Sequence, residues 1–219
     1  VHAVGPERAS NNVLLLDSLA LNPIECMYDN LAEQSSHLQV TAKLLLGRPL
    51  TEWEGQALDA AALIVYRGVG PATPPVNQPR LENLAAVLRE LHGDNELRTA
   101  GHGLGALLEQ KYVRGSLAEV FNVATETDWR MKSDLIAFDF RGVSELDDSL
   151  KRMVYYLVLS AIHREAHRQK RSRRRLVVID EFKAMSTDPT LVERVSIFFK
   201  TFRTLGVGVW VMEQDVSTF

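Results

Sequence analysis

Four apolar residues, Leu176-Val177-Val178-Ile179, run directly into two acids, Asp180 and Glu181. A β-branched run of this length reads as a buried strand, and a buried parallel strand delivers its carboxyl-terminal end to the crevice where α/β proteins bind ligands. Asp180 at such an end would hold a magnesium ion through water, and Glu181 would polarise an attacking water. The same pattern also arises where acids simply solvate a strand end or cap the next helix. A second strand-like run, Val209 to Met212, ends in Glu213-Gln214. Gln214 there would sense a terminal phosphate, or else act as a turn-forming polar residue. Glu213 points to the other side, because strand neighbours alternate. Arg203, one turn before Gly206, closes the helix expected between the two strands. It complements the helix dipole there; in an oligomer it would also reach a nucleotide on the neighbouring subunit and stabilise developing charge, with Lys200 an equally placed surface cation.

A triphosphate also needs a cradle of amides and a lysine, and no G-x-x-x-x-G-K-[ST] occurs in the 219 residues. The one glycine-rich stretch, Gly101-His102-Gly103-Leu104-Gly105, has neither the lysine nor the hydroxyl and follows a helical pattern. It reads as a helix break or a point of close packing. The basic run from His163 to Arg175 could meet phosphates of DNA or lipid, but such runs are more often the solvated end of a helix. His163 and His167 share a helix face without the carboxylate company of a zinc motif, so no zinc site is expected.

The positioning elements follow from periodicity. Val13 to Leu16 reads as a short strand, with a turn at Asn22-Pro23. Leu31, Leu38, Ala42 and Leu45 mark a helix that Gly47 and Pro49 end, and Thr51 with Glu54 is a capping box opening another, to about Arg67. Gly68 to Pro79 suits an exposed connection. Leu81, Leu84, Val87, Leu88 and Leu91 form one further helical stripe, and Leu97, Leu104, Leu107 and Leu108 a second that the glycines interrupt. Leu135 to Phe140 then reads as a strand ending at Arg141-Gly142. A helix follows, burying Leu146, Leu150, Met153, Val154, Leu157, Val158 and Ala161 on one face. After the strand that ends at Asp180, a helix over roughly Thr190 to Thr204 leads into Val207–Met212. Strands alternating with helices predict a parallel α/β sheet covered on both faces.

Bulk properties narrow the function classes. A hydrophobic content of 46% with 24% charged residues is that of a globular protein, and a net charge of -3 does not suit a surface built throughout for nucleic acid. The single cysteine, Cys26, allows no intrachain disulfide and fits a reducing compartment. No run is long enough to span a membrane, and Val1 to Asn12 lacks the pattern of a signal peptide.

The order of these parts resembles the carboxyl-terminal domain of the pilus-assembly ATPases of type IV secretion, the TraC and TrbE kind. The resemblance rests on Leu21-Asn22-Pro23-Ile24, Leu50 to Glu54, Ala61 to Tyr66, Leu117 to Phe121, Ile136 to Gly142, Val178 to Phe182 and Arg203 to Gln214. It implies an α/β fold: an incomplete RecA-like P-loop NTPase core, with residues 1–25 and 131–219 as core and 26–130 as a mainly helical insertion. It implies hydrolysis of ATP with Mg2+, with Asp180 and Glu181 as the Walker B acids and Gln214 closing the next strand. It also implies an oligomer, expected to be hexameric, docked on the cytoplasmic face of the bacterial inner membrane beside inner-membrane and other ATPase subunits. Phe182 and Lys183 stand where the family commonly has Ala-Trp, and the Walker A region is absent, so this stretch alone is expected to be inactive. A DNA-translocating motor of the same fold and a noncatalytic scaffold subunit are the alternatives.

Overall fold

The computed structural model describes residues 11–15, 20–125, 135–139, 148–168, 175–180 and 187–212. It divides into two compact units, Val1–Leu146 and Asp147–Phe219.

In the first unit, β1 (Asn11–Leu15) pairs in parallel with β2 (Leu135–Asp139), in register from Asn11 opposite Leu135 to Leu15 opposite Asp139. The sequence between them is largely helical. The helix α1 (Leu31–Leu46) starts at Asn30, whose side chain accepts from the Ala32 amide, and stops at Gly47 with φ of 67°. That left-handed position disfavours any residue with a Cβ, so the glycine ends the helix. The capping box at Thr51 and Glu54 forms as expected and opens α2 (Glu52–Val65). Arg48 grips the Glu54 carboxylate with two hydrogen bonds, 2.9 and 2.7 Å, and holds its pKa down to about 2.

The helices α3 (Leu81–Arg89) and α4 (Asn95–Leu108) pack side by side, and α4 continues through a π-helical turn, Glu109–Val113, towards the short α5 (Ala118–Phe121). The glycines do not interrupt α4. Gly101 and Gly105, one turn apart, are buried against α3; a Cβ on Gly101 would lie 2.9 Å from the Leu88 carbonyl oxygen, and one on Gly105 would lie 2.7 Å from that of Ala85. Of the two readings the sequence allowed, close packing is therefore correct and a helix break is not. Leu107, expected in the buried stripe, is 45% exposed because it falls on the far side of α4 from α3.

Residues 21–28 are buried throughout without regular structure, apart from a turn at Pro23-Ile24. Buried backbone amides and carbonyls must find partners, and side chains supply them. Gln34 accepts from the Met27 and Tyr28 amides and donates to the Glu25 carbonyl, while Gln78 accepts from the Cys26 amide and donates to the Gly70 and Thr73 carbonyls. The Tyr66 hydroxyl donates to Ile24, and Asn22 bridges the Thr125 hydroxyl and the Pro79 carbonyl. The Gly68 to Pro79 connection is thus not wholly exposed: Gln78 and Pro79 are buried by this stitching.

The second unit holds α6 (Asp148–Arg168), β3 (Arg175–Ile179), α7 (Pro189–Leu205) and β4 (Val207–Val211). Leu191, Val195, Phe198 and Phe202 form the buried stripe of α7, which packs on α6 and β4. The helix α6 is buried around most of its girth, since Tyr156, Leu159 and Ser160 join the expected face. His163 and Glu165 are buried as well, so the first half of the basic run is packed helix and not a solvated tail.

The sheet differs from the single covered sheet that was expected. Among the described residues there are two separate parallel pairs, β1 with β2 and β3 with β4. One face of the β3–β4 pair is open: Leu176, Val178 and Trp210 are 60, 50 and 60% exposed, whereas Ile179 and Val207 on the other face are buried. A two-stranded sheet has two faces, and alternation sends every second apolar residue of β3 to the uncovered one. No helix among the described residues is long and apolar enough to cross a membrane.

Candidate functional site

The site read from the sequence lies at the carboxyl-terminal ends of β3 and β4. The two strands run parallel with Arg175 opposite Val207 and Ile179 opposite Val211. The Met212 amide donates to the Ile179 carbonyl at 2.8 Å, continuing the ladder past the last paired residues. Asp180 therefore leaves β3 beside Met212, and it does so on a bend, exposed, directly after the buried Ile179. This is where the crevice of an open parallel sheet forms, and an exposed carboxylate there fits a hydrated cation.

The helix between the strands sets their alignment. Asp188 accepts from the Leu191 amide at 3.1 Å as the N-cap, and Pro189 follows in the first turn. Asp188 also pairs with Arg152 of α6 at 3.2 Å, which ties the start of α7 to its neighbour. Sequence reasoning missed this anchor, although Asp-Pro ahead of an apolar stripe is a legible start signal. At the other end Gly206, with φ of 75°, caps α7 with its amide donating to the Phe202 and Arg203 carbonyls, and β4 begins at the next residue.

That arrangement separates two of the candidate residues. Arg203 is exposed in the last turn of α7, next to the starting end of β4, whereas Asp180 lies beside its finishing end. At about 3.3 Å of rise per residue the strand puts roughly 13 Å between those ends. Arg203 and Asp180 are thus not brought together within one chain. Glu181 and Gln214, the other two candidates, lie outside the described residues.

Behind the strands, the seam between α6 and α7 is aromatic. The His163 ring stacks on Phe198 with centroids 4.5 Å apart and meets His167 edge-on at 4.6 Å, while Tyr156 stacks on the same Phe198 at 6.5 Å. Burial, with His167 and Arg194 nearby, lowers the His163 pKa to about 3, so this imidazole is neutral at physiological pH.

Two cofactors were expected, ATP and Mg2+. Asp180 fits one water-mediated contact to magnesium. Among the described residues no three or more His, Cys, Asp or Glu gather as a metal cluster, so a metal here would depend on its phosphate ligands and water.

No family model matches the chain, and no curated protein does. Among solved structures, that of VirB4 of Thermoanaerobacter pseudethanolicus is similar, with a TM-score of 0.75 and 24% sequence identity over 94% of this chain. At that identity the likeness shows the fold: a mixed α/β chain, mostly helical, with small parallel sheets. The chain spans 57% of that structure's length.

Proposed function

We propose that this chain is part of a type IV secretion ATPase, the class that its motifs resemble and to which its fold likeness to VirB4 also points. The observation that carries the reading is the parallel β3–β4 pair, with an exposed Asp180 leaving a buried strand beside Met212. In this reading the two sheets belong to a RecA-like core and residues 26–130 are its helical insertion. Asp180 would hold the nucleotide's magnesium through water. Glu181 polarises the attacking water and Gln214 senses the γ-phosphate. Magnesium would supply charge neutralisation on the β- and γ-oxygens when bound; the chain's own part is to hold one carboxylate at a rigid strand end and the next beside it.

Arg203 is assigned to a neighbouring subunit's nucleotide, and its position at the opposite end of β4 from Asp180 supports a role outside its own site. That role requires an oligomer, which we take to be a hexamer on the cytoplasmic face of the inner membrane, with other secretion subunits as partners. The phosphate-binding loop that such a site requires is not among these 219 residues, so the activity belongs to the complete protein.

The test is Glu181→Gln in the complete protein that carries this sequence. The amide keeps the size of the side chain and loses its charge, so hydrolysis should fall by at least 100-fold, on the order expected for a lost catalytic base, while ATP binding persists. Binding and turnover lost to the same degree would show that Glu181 is structural. Strong stimulation of the ATPase by DNA would favour the DNA-translocating reading instead.

A further inference from the structure

The first unit carries a groove of about 490 Å3 between α1 and α2, open to solvent and lined by residues that include Leu31, Ser35, Gln39, Asp59 and Leu63. Arg48, just after α1, bonds Glu54 at the start of α2, while Leu31 at the start of α1 and Leu63 near the end of α2 line the same groove, so the two helices run antiparallel here: Leu31, Ser35 and Gln39 recur each turn on one wall, and Asp59 and Leu63 on the other. Asp59 is oriented by two donors, the Ser35 hydroxyl and the Gln39 amide, the latter at 2.8 Å. Both fall on Oδ1, and Oδ2 has no donor among the described residues. Leu63 is 60% exposed one turn further on, and Leu31 is exposed opposite it. The helix α2 carries Glu52, Glu54 and Asp59 and no lysine or arginine, and Arg48 already occupies Glu54. The groove therefore has two exposed leucines, Leu31 and Leu63, at one end and the acidic Asp59 between Ser35 and Gln39 beside them. Such a surface repels nucleic acid, nucleotides and anionic lipid, and it accepts an amphipathic helix bearing cations.

The second unit presents a helix of that kind. The solvent side of α7 carries Val192 and Ile197, both 42% exposed, followed by the exposed cations Lys200 and Arg203, with Glu193 the one exposed acid. We propose that the groove between α1 and α2 receives the outer face of α7 from a second copy of the chain, with Ile197 against Leu31 and Leu63 and Lys200 paired to Asp59. The two surfaces differ, so the contact is head-to-tail: each copy offers a groove to one neighbour and a helix to the other. Such contacts close into rings or extend as filaments, and they do not stop at a symmetric dimer. A preoriented carboxylate suits the purpose, since little is lost in fixing it when the cation arrives.

A charge-reversal cycle in the complete protein, read by sedimentation velocity at low salt, tests the assignment. Asp59→Lys and Lys200→Asp alone should each weaken association about tenfold or more, Leu63→Ser should weaken it too, and Asp59→Lys with Lys200→Asp together should restore it. The milder Asp59→Asn, with a melting temperature equal to that of the parent, guards against misfolding as the cause. Association unchanged in every single variant, or not restored in the double variant, would overturn the proposal. A parent protein that stays monomeric yet binds a synthetic leucine-lysine helical peptide through Asp59 would overturn it as well, by assigning the groove to a different protein. Variants that shift the melting temperature and leave the mass unchanged would likewise do so, since the groove would then be filled from within the same chain.

Discussion

His163 is the residue whose surroundings have the clearest measurable consequence. It is 8% exposed, stacked on Phe198, and faces His167 and Arg194, two groups that oppose a further positive charge. Its pKa falls from an ordinary 6.5 to about 3 on folding. Between those values the unfolded chain binds a proton that the folded chain refuses, so the stabilising contribution is complete above pH 6.5 and is lost as the pH falls towards 3. At pH 5 the loss from this one residue is about 2 kcal/mol. Urea unfolding at pH 7.5 and pH 5 should show that loss, and His163→Phe, which keeps the stacked ring, should remove most of it. An equal pH dependence in the variant would mean that other groups carry the effect.

At the scale of elements, the α3–α4 contact reverses a familiar rule. Alanine normally stabilises a helix relative to glycine by about 1 kcal/mol. Gly103, with nothing within 4 Å of an added Cβ, should follow that rule. Gly101→Ala and Gly105→Ala should not, because their added methyls would meet the Leu88 and Ala85 carbonyl oxygens, which belong to a neighbouring helix and cannot turn aside. Overpacking of that kind costs roughly 1–3 kcal/mol, so both variants should melt below the parent while Gly103→Ala melts at or above it. Thermal unfolding of the three single variants checks this, and similar melting temperatures for all would show that the two helices can move apart at little cost.

For the molecule as a whole, the open face of the β3–β4 pair is the main liability. Leu176, Val178 and Trp210 stand together on it, with Val178 directly opposite Trp210 in the ladder. Parallel sheets are normally covered on both faces, and an uncovered apolar patch promotes aggregation. The 219-residue chain by itself should therefore scatter light on heating, and Trp210→Lys should raise the onset temperature. High salt should not suppress this aggregation, because apolar association is not screened, whereas the contact through Asp59 and Lys200 should weaken. Aggregation of Trp210→Lys identical to that of the parent would place the cause elsewhere.

Local chemistry alone determined much of this chain. The capping box at Thr51 and Glu54, the glycine stops at Gly47 and Gly206, and the 3.6-residue stripe of α7 all act within one or two turns of backbone, so their outcome is encoded where they stand. The strand ending at Asp180 was legible for the same reason, as an apolar run closed by a charge. What the local pattern left open were questions of what lies opposite. Gly101 and Gly105 could break a helix or pack one, and only the approach of the α3 carbonyls decided between them. The apolar β3 was expected to be covered on both faces, and tertiary packing decided otherwise, since Leu176 and Val178 on one face stay exposed while Ile179 on the other is buried. The buried 21–28 stretch, held by Gln34, Gln78, Tyr66 and Thr125, has no periodicity to read at all, because its hydrogen-bond partners lie up to 103 residues away in the sequence and meet it only once the helices have packed.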